Sequence, residues 1–212
     1  MLFDLKIFLF FWLKNKQRLK IGINNQHVMK VIAVSGTPGT GKTTLSKKLA
    51  KKLNFIYLDF NETIKKYKLS EGYDKARDTK IVDVKKLNNA FIKEISTIKN
   101  LLNKTSINKK LSKHSNKKIK KGIIIDSHLS HYLPKRYVDL CIVTKCDLKV
   151  LKKRLKKKKY SKEKIRENLD AEIFDICLNE AKESRHKVIA IDTTKGINIG
   201  EISRKTGGLI DI

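Results

Sequence analysis

Three observations predict an α/β fold with a five-stranded parallel sheet and helices on both faces. Five short apolar runs, at 31–34, 55–58, 123–125, 140–143 and 188–191, read as buried strands. Amphipathic stretches long enough to form helices separate them, which is the alternation of a parallel sheet. Between the first run and the first helix stands Gly36-Thr37-Pro38-Gly39-Thr40-Gly41-Lys42-Thr43, a full match to the glycine loop that grips phosphate.

The helices follow from apolar spacing. Residues 43–53 carry Leu45, Leu49 and Leu53 on one face, with the amino end set in the glycine loop. Residues 83–102 carry a stripe of Val84, Leu87, Phe91, Ile95, Ile98 and Leu102. The longest predicted helix is 161–184, with Ser161 as its cap and Ile165, Leu169, Ile173, Ile176 and Ala181 facing inward. Residues 103–121 are polar, lysine-rich and weakly periodic, and read as a surface insertion. The apolar run 7–13 is far shorter than the roughly 20 residues that cross a bilayer. It also lacks the basic lead-in and small-residue cleavage site of a secretory signal. Met29 directly precedes the first strand, so the expectation is a single domain over 29–212 and an extension, 1–28, outside the working protein. A membrane-surface anchor is the alternative reading of that extension.

The 212 residues carry 49 Lys and Arg against 21 Asp and Glu, a net charge of +28. Such a surface favours acidic partners: nucleotides, RNA or ribosomal surfaces. Of the basic residues 42 are lysine, so compositional bias or a hot habitat is an equally physical source of the charge. Cys141, Cys146 and Cys177 form no CxxC pair. Odd in number as well, they indicate neither a disulfide framework nor a zinc site and suit a reducing cytoplasm.

The chemistry concentrates at the glycine loop. Gly36, Gly39 and Gly41 let the backbone turn tightly round an anion, and successive N–H groups at a helix amino end point at it. Lys42 reaches the β and γ phosphates in this motif, and the Thr43 hydroxyl ligates Mg²⁺. The strand at 123–125 ends in Asp126, the carboxylate expected to orient that cation. His128 follows two residues later and, if the strand continues, faces the same side, towards the γ phosphate or an attacking water. His131 is the weaker candidate.

Phosphate loops serve switches, motors and kinases alike. Thr144-Lys145-Cys146-Asp147 resembles the element that reads guanine, and Thr193-Thr194-Lys195-Gly196 resembles the loop that accompanies it. A GTPase switch also needs a glycine three residues after the second acidic strand end, where this chain has Leu129. A kinase needs a basic lid instead, and Lys152 to Lys159 supplies cations able to neutralise a transferring phosphoryl group and exclude water.

The combination GTPGTGKTTL, EGYDKARDTKIVDVKKL at 71–87, DSH at 126–128 and RLKKKKYSKEKIRENLDAEIFDI at 154–176 resembles the adenylate kinase isoenzyme 6 family. The resemblance spans residues 29 to about 194. It implies a nucleoside monophosphate kinase fold with an acceptor-binding segment around 59–82 and a short lid around 157–167. It further implies Mg²⁺-dependent transfer from ATP to AMP, slow ATP hydrolysis, and a part in maturing small-subunit ribosomal RNA through contact with a ribosomal protein. Gly39, Gly41, Lys42, Thr43 and Thr44 match the family's ATP-binding residues, and Asp126 with His128 its D-x-H motif. Where the family commonly has Arg-Gly-Tyr in the lid, this chain has Lys158-Lys159-Tyr160, and a lysine offers charge without a planar fork of donors. The resulting expectation gives catalytic roles to Lys42, Asp126 and His128. ATP contacts fall to Gly36, Gly39, Gly41, Lys42, Thr43, Thr44 and Lys158, and Mg²⁺ to Thr43 and Asp126. The rival expectation is a ribosome-assembly ATPase with incidental kinase turnover; a GTPase is the third.

Overall fold

The computed structural model describes residues 29–75, 77, 79–111 and 122–206, with backbone alone over 103–111 and at 203. All five predicted strands form one sheet, in the order β2 (Ile56–Asp59), β5 (Gly122–Asp126), β1 (Lys30–Ser35), β6 (Leu140–Lys145), β7 (Val188–Asp192). Every pairing in it is parallel. Parallel strands need crossovers, and the helices that make them cover both faces.

Side chains alternate along each strand, so the sheet divides the core in two. On one face Val31, Ala33, Ile123, Ile125, Cys141 and Val143 meet Leu87, Phe91 and Ile95 of helix α3 (Val84–Leu111) and Ile64 of α2 (Phe60–Tyr67). On the other, Ile32, Val34, Ile124 and Ile142 meet Leu45, Leu49 and Leu53 of α1 (Lys42–Leu53) and Ile202 of α7 (Ile199–Thr206). Both leucine and aromatic stripes therefore face where their spacing predicts. A third, smaller cluster joins α4 (Leu148–Lys157) to α5 (Lys162–Ile173) through Leu151, Leu155 and Ile165. It makes the basic corner after β6 a packed unit.

Two expectations need correction. The helix predicted over 161–184 is two helices, α5 and α6 (Ile176–Glu183), broken at Asp175, which adopts a left-handed φ of 53°. Lys145 pins the break: its Nζ donates to the Glu172 carbonyl at 2.9 Å and to the Asp175 carboxylate. Aspartate tolerates this conformation better than most residues. The turn rotates the apolar stripe away from the core, leaving Ile173 and Ile176 exposed, with Phe174 the most exposed of the three. The second correction concerns the insertion. Helix α3 continues to Leu111, so the first half of 103–121 is helical backbone; residues 112–121, like the extension 1–28, lie outside the described residues.

Between α2 and α3 the chain forms an antiparallel hairpin, β3 (Ser70–Asp74) with β4 (Thr79–Val82). It stands apart from the main sheet and forms one wall of the cleft described below. Among the described residues no helix is long and apolar enough to cross a membrane.

Phe91 is wholly buried at the centre of the larger core cluster. Phe91→Ala is expected to destabilise the fold by about 3–5 kcal/mol, the usual cost of a buried Phe truncation. Equilibrium denaturant unfolding measures this directly.

Candidate active site

The site lies at the carboxyl ends of the strands, where β1 feeds the glycine loop between its neighbours β5 and β6. Gly36, Gly39 and Gly41 have φ of 130°, 93° and 94°, values that side chains rarely adopt. Gly36 is also sterically required, because a Cβ there would lie 2.5 Å from Thr144 Oγ1 and 2.6 Å from the Thr144 carbonyl. Thr40, fully buried, ties the loop down: its hydroxyl donates to Thr37 O at 2.7 Å and lies 2.6 Å from Thr144 Oγ1. One face of β6 thus acts as the rigid backing of the loop.

Lys42 opens α1 and donates to Thr37 O at 3.0 Å. Burial lowers its pKa to about 8, opposed by the nearby Asp126 carboxylate. Asp126 is 4% exposed at the end of β5. Its Oδ2 accepts from the Tyr57 phenol at 2.8 Å, and that phenol also lies 2.9 Å from Asp59 Oδ2. Thr43 and Asp126 line the same cleft and offer hard oxygen donors of the kind that suits Mg²⁺.

His128 lies beyond the strand end and lines the same cleft as Asp126. Its ring stands edge-on to Phe60, centroids 5.0 Å apart. Burial, reinforced by the charge of Lys42, lowers its pKa to about 4. It is neutral at neutral pH and offers a hydrogen bond, not a labile proton. His131 belongs to the support of the loop, buried beneath it. Its Nδ1 contacts Ser35 Oγ at 2.6 Å and its Nε2 contacts Glu180 at 2.9 Å. With Glu180 as a carboxylate, Nε2 carries the proton and Nδ1 accepts from Ser35.

These groups open into a cleft of about 1040 Å³. The cleft is lined by Gly39, Lys42, Thr43, Asp126 and His128; one wall is Asp59 at the end of β2 and Phe60, Asn61 and Ile64 of α2 with Tyr73, Thr79, Lys80 and Val82 of the hairpin. Lys157, Lys158, Tyr160 and Lys164 form the opposite rim, and Arg77 of the hairpin crosses to it, donating to Glu167 at 3.1 Å. The segments 59–82 and 157–167 therefore face one another over the phosphate loop. At the corner, Lys159 has a φ of 59°, the left-handed region, at the position where the resembling family has glycine. Lys158 lines the cleft as expected of the lid cation.

The element that resembles a guanine reader does other work. Asp147 caps α4, its Oδ1 accepting from Lys149 N and Val150 N at 2.9 and 3.1 Å. Lys145 is committed to Glu172 and Asp175, and the Glu172 carboxylate accepts from Cys146 N at 2.9 Å. Neither side chain is presented to a base. Tyr57, Asp59, Phe60 and Thr144 were not legible as site residues, whereas Arg154 falls in the basic run 152–159 but turns to a different task. Arg154 donates to the carbonyls of Thr193 at 2.8 Å and Thr194 at 3.3 Å, fixing the loop that lines the far end of the cleft. Only Asp59 left a signal in the sequence, as a second apolar run ending in a carboxylate.

A glycine loop that faces a separate wall across a roomy cleft, beneath a corner of lysines, defines a P-loop phosphotransferase: a switch has no use for the second wall. A family model described as AAA domain matches residues 32–175. A Methanocaldococcus jannaschii protein named "Putative adenylate kinase" is 39% identical over 163 residues, covering 77% of this chain and 76% of the relative. Proteins of the same name from Thermococcus kodakarensis and Methanosarcina acetivorans are each 35% identical, covering 77% and 85% of this chain and 76% and 84% of their own. The chain belongs to this archaeal adenylate kinase family, to which its motifs pointed.

Gly36→Ala is expected to leave the sheet intact by circular dichroism while abolishing ATP binding by calorimetry, since the added methyl displaces the loop from Thr144. A second expectation follows from Lys42. Its charge is complete below a pKa of about 8 and lost above it. Phosphate binding favours the charged form, so ATP affinity is level at lower pH and falls as pH rises through 8, by up to about ten-fold per pH unit. Lys42→Arg, with its higher pKa, removes that fall if it binds at all.

Proposed function

We propose that this protein is a Mg²⁺-dependent nucleoside monophosphate kinase that transfers the γ-phosphoryl group of ATP to AMP. The observation that carries the reading is the single cleft in which the phosphate loop, Asp126 and the rim lysines face the α2 and hairpin wall. ATP lies with its phosphates in the loop and AMP against that wall. A monophosphate oxygen is already ionised at neutral pH, so the acceptor needs no general base. Catalysis is then positioning and charge stabilisation. Lys42 holds the β and γ phosphates, Gly36, Gly39, Gly41 and Thr44 line the donor phosphates, and Lys158 approaches from the rim as charge spreads over the transferring group. Thr43 and Asp126 would hold Mg²⁺, which would supply charge withdrawal from the donor phosphates. His128, neutral, hydrogen-bonds a phosphoryl oxygen or a water beside it.

Water admitted to the same position yields ATP hydrolysis, and the ribosome-assembly reading builds on that side reaction. It is favoured by the row of exposed cations on α4, where Lys149, Lys152, Lys153 and Lys156 follow without an acidic residue. Such a face suits a small-subunit ribosomal protein bound to RNA, or pre-rRNA itself. If assembly uses the nucleotide cycle, association with small-subunit particles survives high salt and depends on Lys42. Purely electrostatic adhesion disappears steeply with salt and ignores that residue.

The kinase reading is checked by following ADP and released phosphate from ATP with AMP, CMP or GMP present. ADP formed in excess of phosphate, greatest with AMP, is the expected result; a strict requirement for GTP would overturn it. Lys42→Ala is expected to lower turnover by about 10³-fold or more, in line with removal of a principal charge clamp. Asp126→Asn is expected to raise the Mg²⁺ concentration needed for half-maximal rate. His128→Ala is expected to alter the ratio of transfer to hydrolysis more than ATP affinity.

A further inference from the structure

Parallel pairing of β2 with β5 sets Asp59 level with Asp126, and the phenol of Tyr57 lies between the two carboxylates. The contacts are 2.9 and 2.8 Å, both of hydrogen-bond length. A phenol holds one proton, and an ionised carboxylate only accepts. One of the two contacts is therefore a hydrogen bond, and the other opposes an oxygen lone pair to a negative charge. The two carboxylates serve different halves of the cleft. Asp126 belongs to the cation site. Asp59 Oδ1 caps α2, accepting from Asn61 N at 2.7 Å and Glu62 N at 3.2 Å, and the Asp59 carbonyl accepts from the Thr63 hydroxyl at 2.8 Å. Phe60, the first residue of α2, also rests against His128. The junction thus joins the end of β5 to the amino end of the helix that walls the acceptor side.

We infer that Tyr57 is a positioning residue that couples the divalent-cation site to α2: a cation on Asp126 turns the phenolic O–H, which stays on the phenol, from Asp126 to Asp59 and steadies the helix cap. The inference rests on the cation reading of Asp126. A cation at the carboxylate takes up its charge, weakens it as an acceptor and relieves the opposing lone pair. Asp59 is left as the sole strong acceptor for the phenol. The consequence for the reaction is order: the acceptor wall becomes firm when the metal and donor are in place.

The test uses the full chain with a non-hydrolysable ATP analogue. Mn²⁺ retention is read by electron paramagnetic resonance, and amide hydrogen exchange at Asn61 and Glu62 reports the cap. In the wild type, adding Mg²⁺ to analogue-saturated protein should slow exchange at both amides by about five-fold, the worth of roughly one net hydrogen bond. Tyr57→Phe should hold Mn²⁺ at least as tightly as the wild type, because the phenolic hydrogen bond that competes with the cation for Asp126 is gone. At saturating cation its two amides should no longer respond. Asp59→Asn, whose Nδ2 can donate to the phenol while Oδ1 keeps the cap, should show slow exchange without any cation, and it carries the test if Tyr57→Phe does not fold. A Tyr57→Phe protein whose two amides still slow on cation binding, or one that binds Mn²⁺ more weakly than the wild type, overturns the inference. Wild-type protein that holds Mn²⁺ yet shows no change at the two amides refutes the coupling alone. Failure of the wild type to hold Mn²⁺ with the analogue refutes the cation reading along with it.

Discussion

The buried contact between the Thr40 and Thr144 hydroxyls holds the phosphate loop to the sheet, and the rest of the site is arranged around that fixed point. A loop whose backbone must aim several N–H groups at one anion has to be rigid, yet its glycines make it intrinsically mobile. Thr144 resolves the conflict from the neighbouring strand: its hydroxyl donates to Thr40 Oγ1 at 2.6 Å, Thr40 donating on to Thr37 O, and its backbone fills the space that a side chain at Gly36 would need. The loop's freedom is thereby confined to one conformation by β6, which is itself immobilised by parallel partners on both sides.

From that anchor the charges of the site follow. Lys42 is desolvated and leans on a carbonyl of its own loop, with Asp126 close enough to hold up its charge. Beneath the loop, buried Ser35 and His131 continue through a hydrogen bond to the half-buried Glu180, so the space under the strand end holds polar groups with partners. The positive rim is added by α4 and α5, which pack on each other through their own small apolar cluster and touch the hairpin through Arg77 and Glu167. An exposed pair of this kind contributes little to stability.

Much of this was legible in the sequence because it depends on local pattern. Strands buried on both faces announce themselves as apolar runs, and helices on a sheet show a stripe at helical spacing, so Leu45, Leu49, Phe91 and Ile95 were placed correctly. The phosphate loop is a contiguous motif whose chemistry is carried by residue type. The break at Asp175 was not legible, since Ile173 and Ile176 continue the stripe and the cause of the turn, Lys145, lies on a strand far away in the chain. For the same reason Lys145 and Asp147 mimic a guanine-reading element: four residues of a pattern say nothing about which partners their side chains meet.

The sequence by itself determined the sheet, its order of alternation with helices and the phosphate loop, because each is set by periodicity and by local backbone chemistry. Only the tertiary structure decided that Thr144 backs the loop, that Tyr57 joins Asp59 to Asp126, that His131 supports while His128 faces the cleft, and that a lysine takes the left-handed position at the corner. These depend on strand register and on contacts between residues distant in the chain. A hydrogen bond's worth is set by the partner that folding supplies, and no spacing along a single chain names that partner.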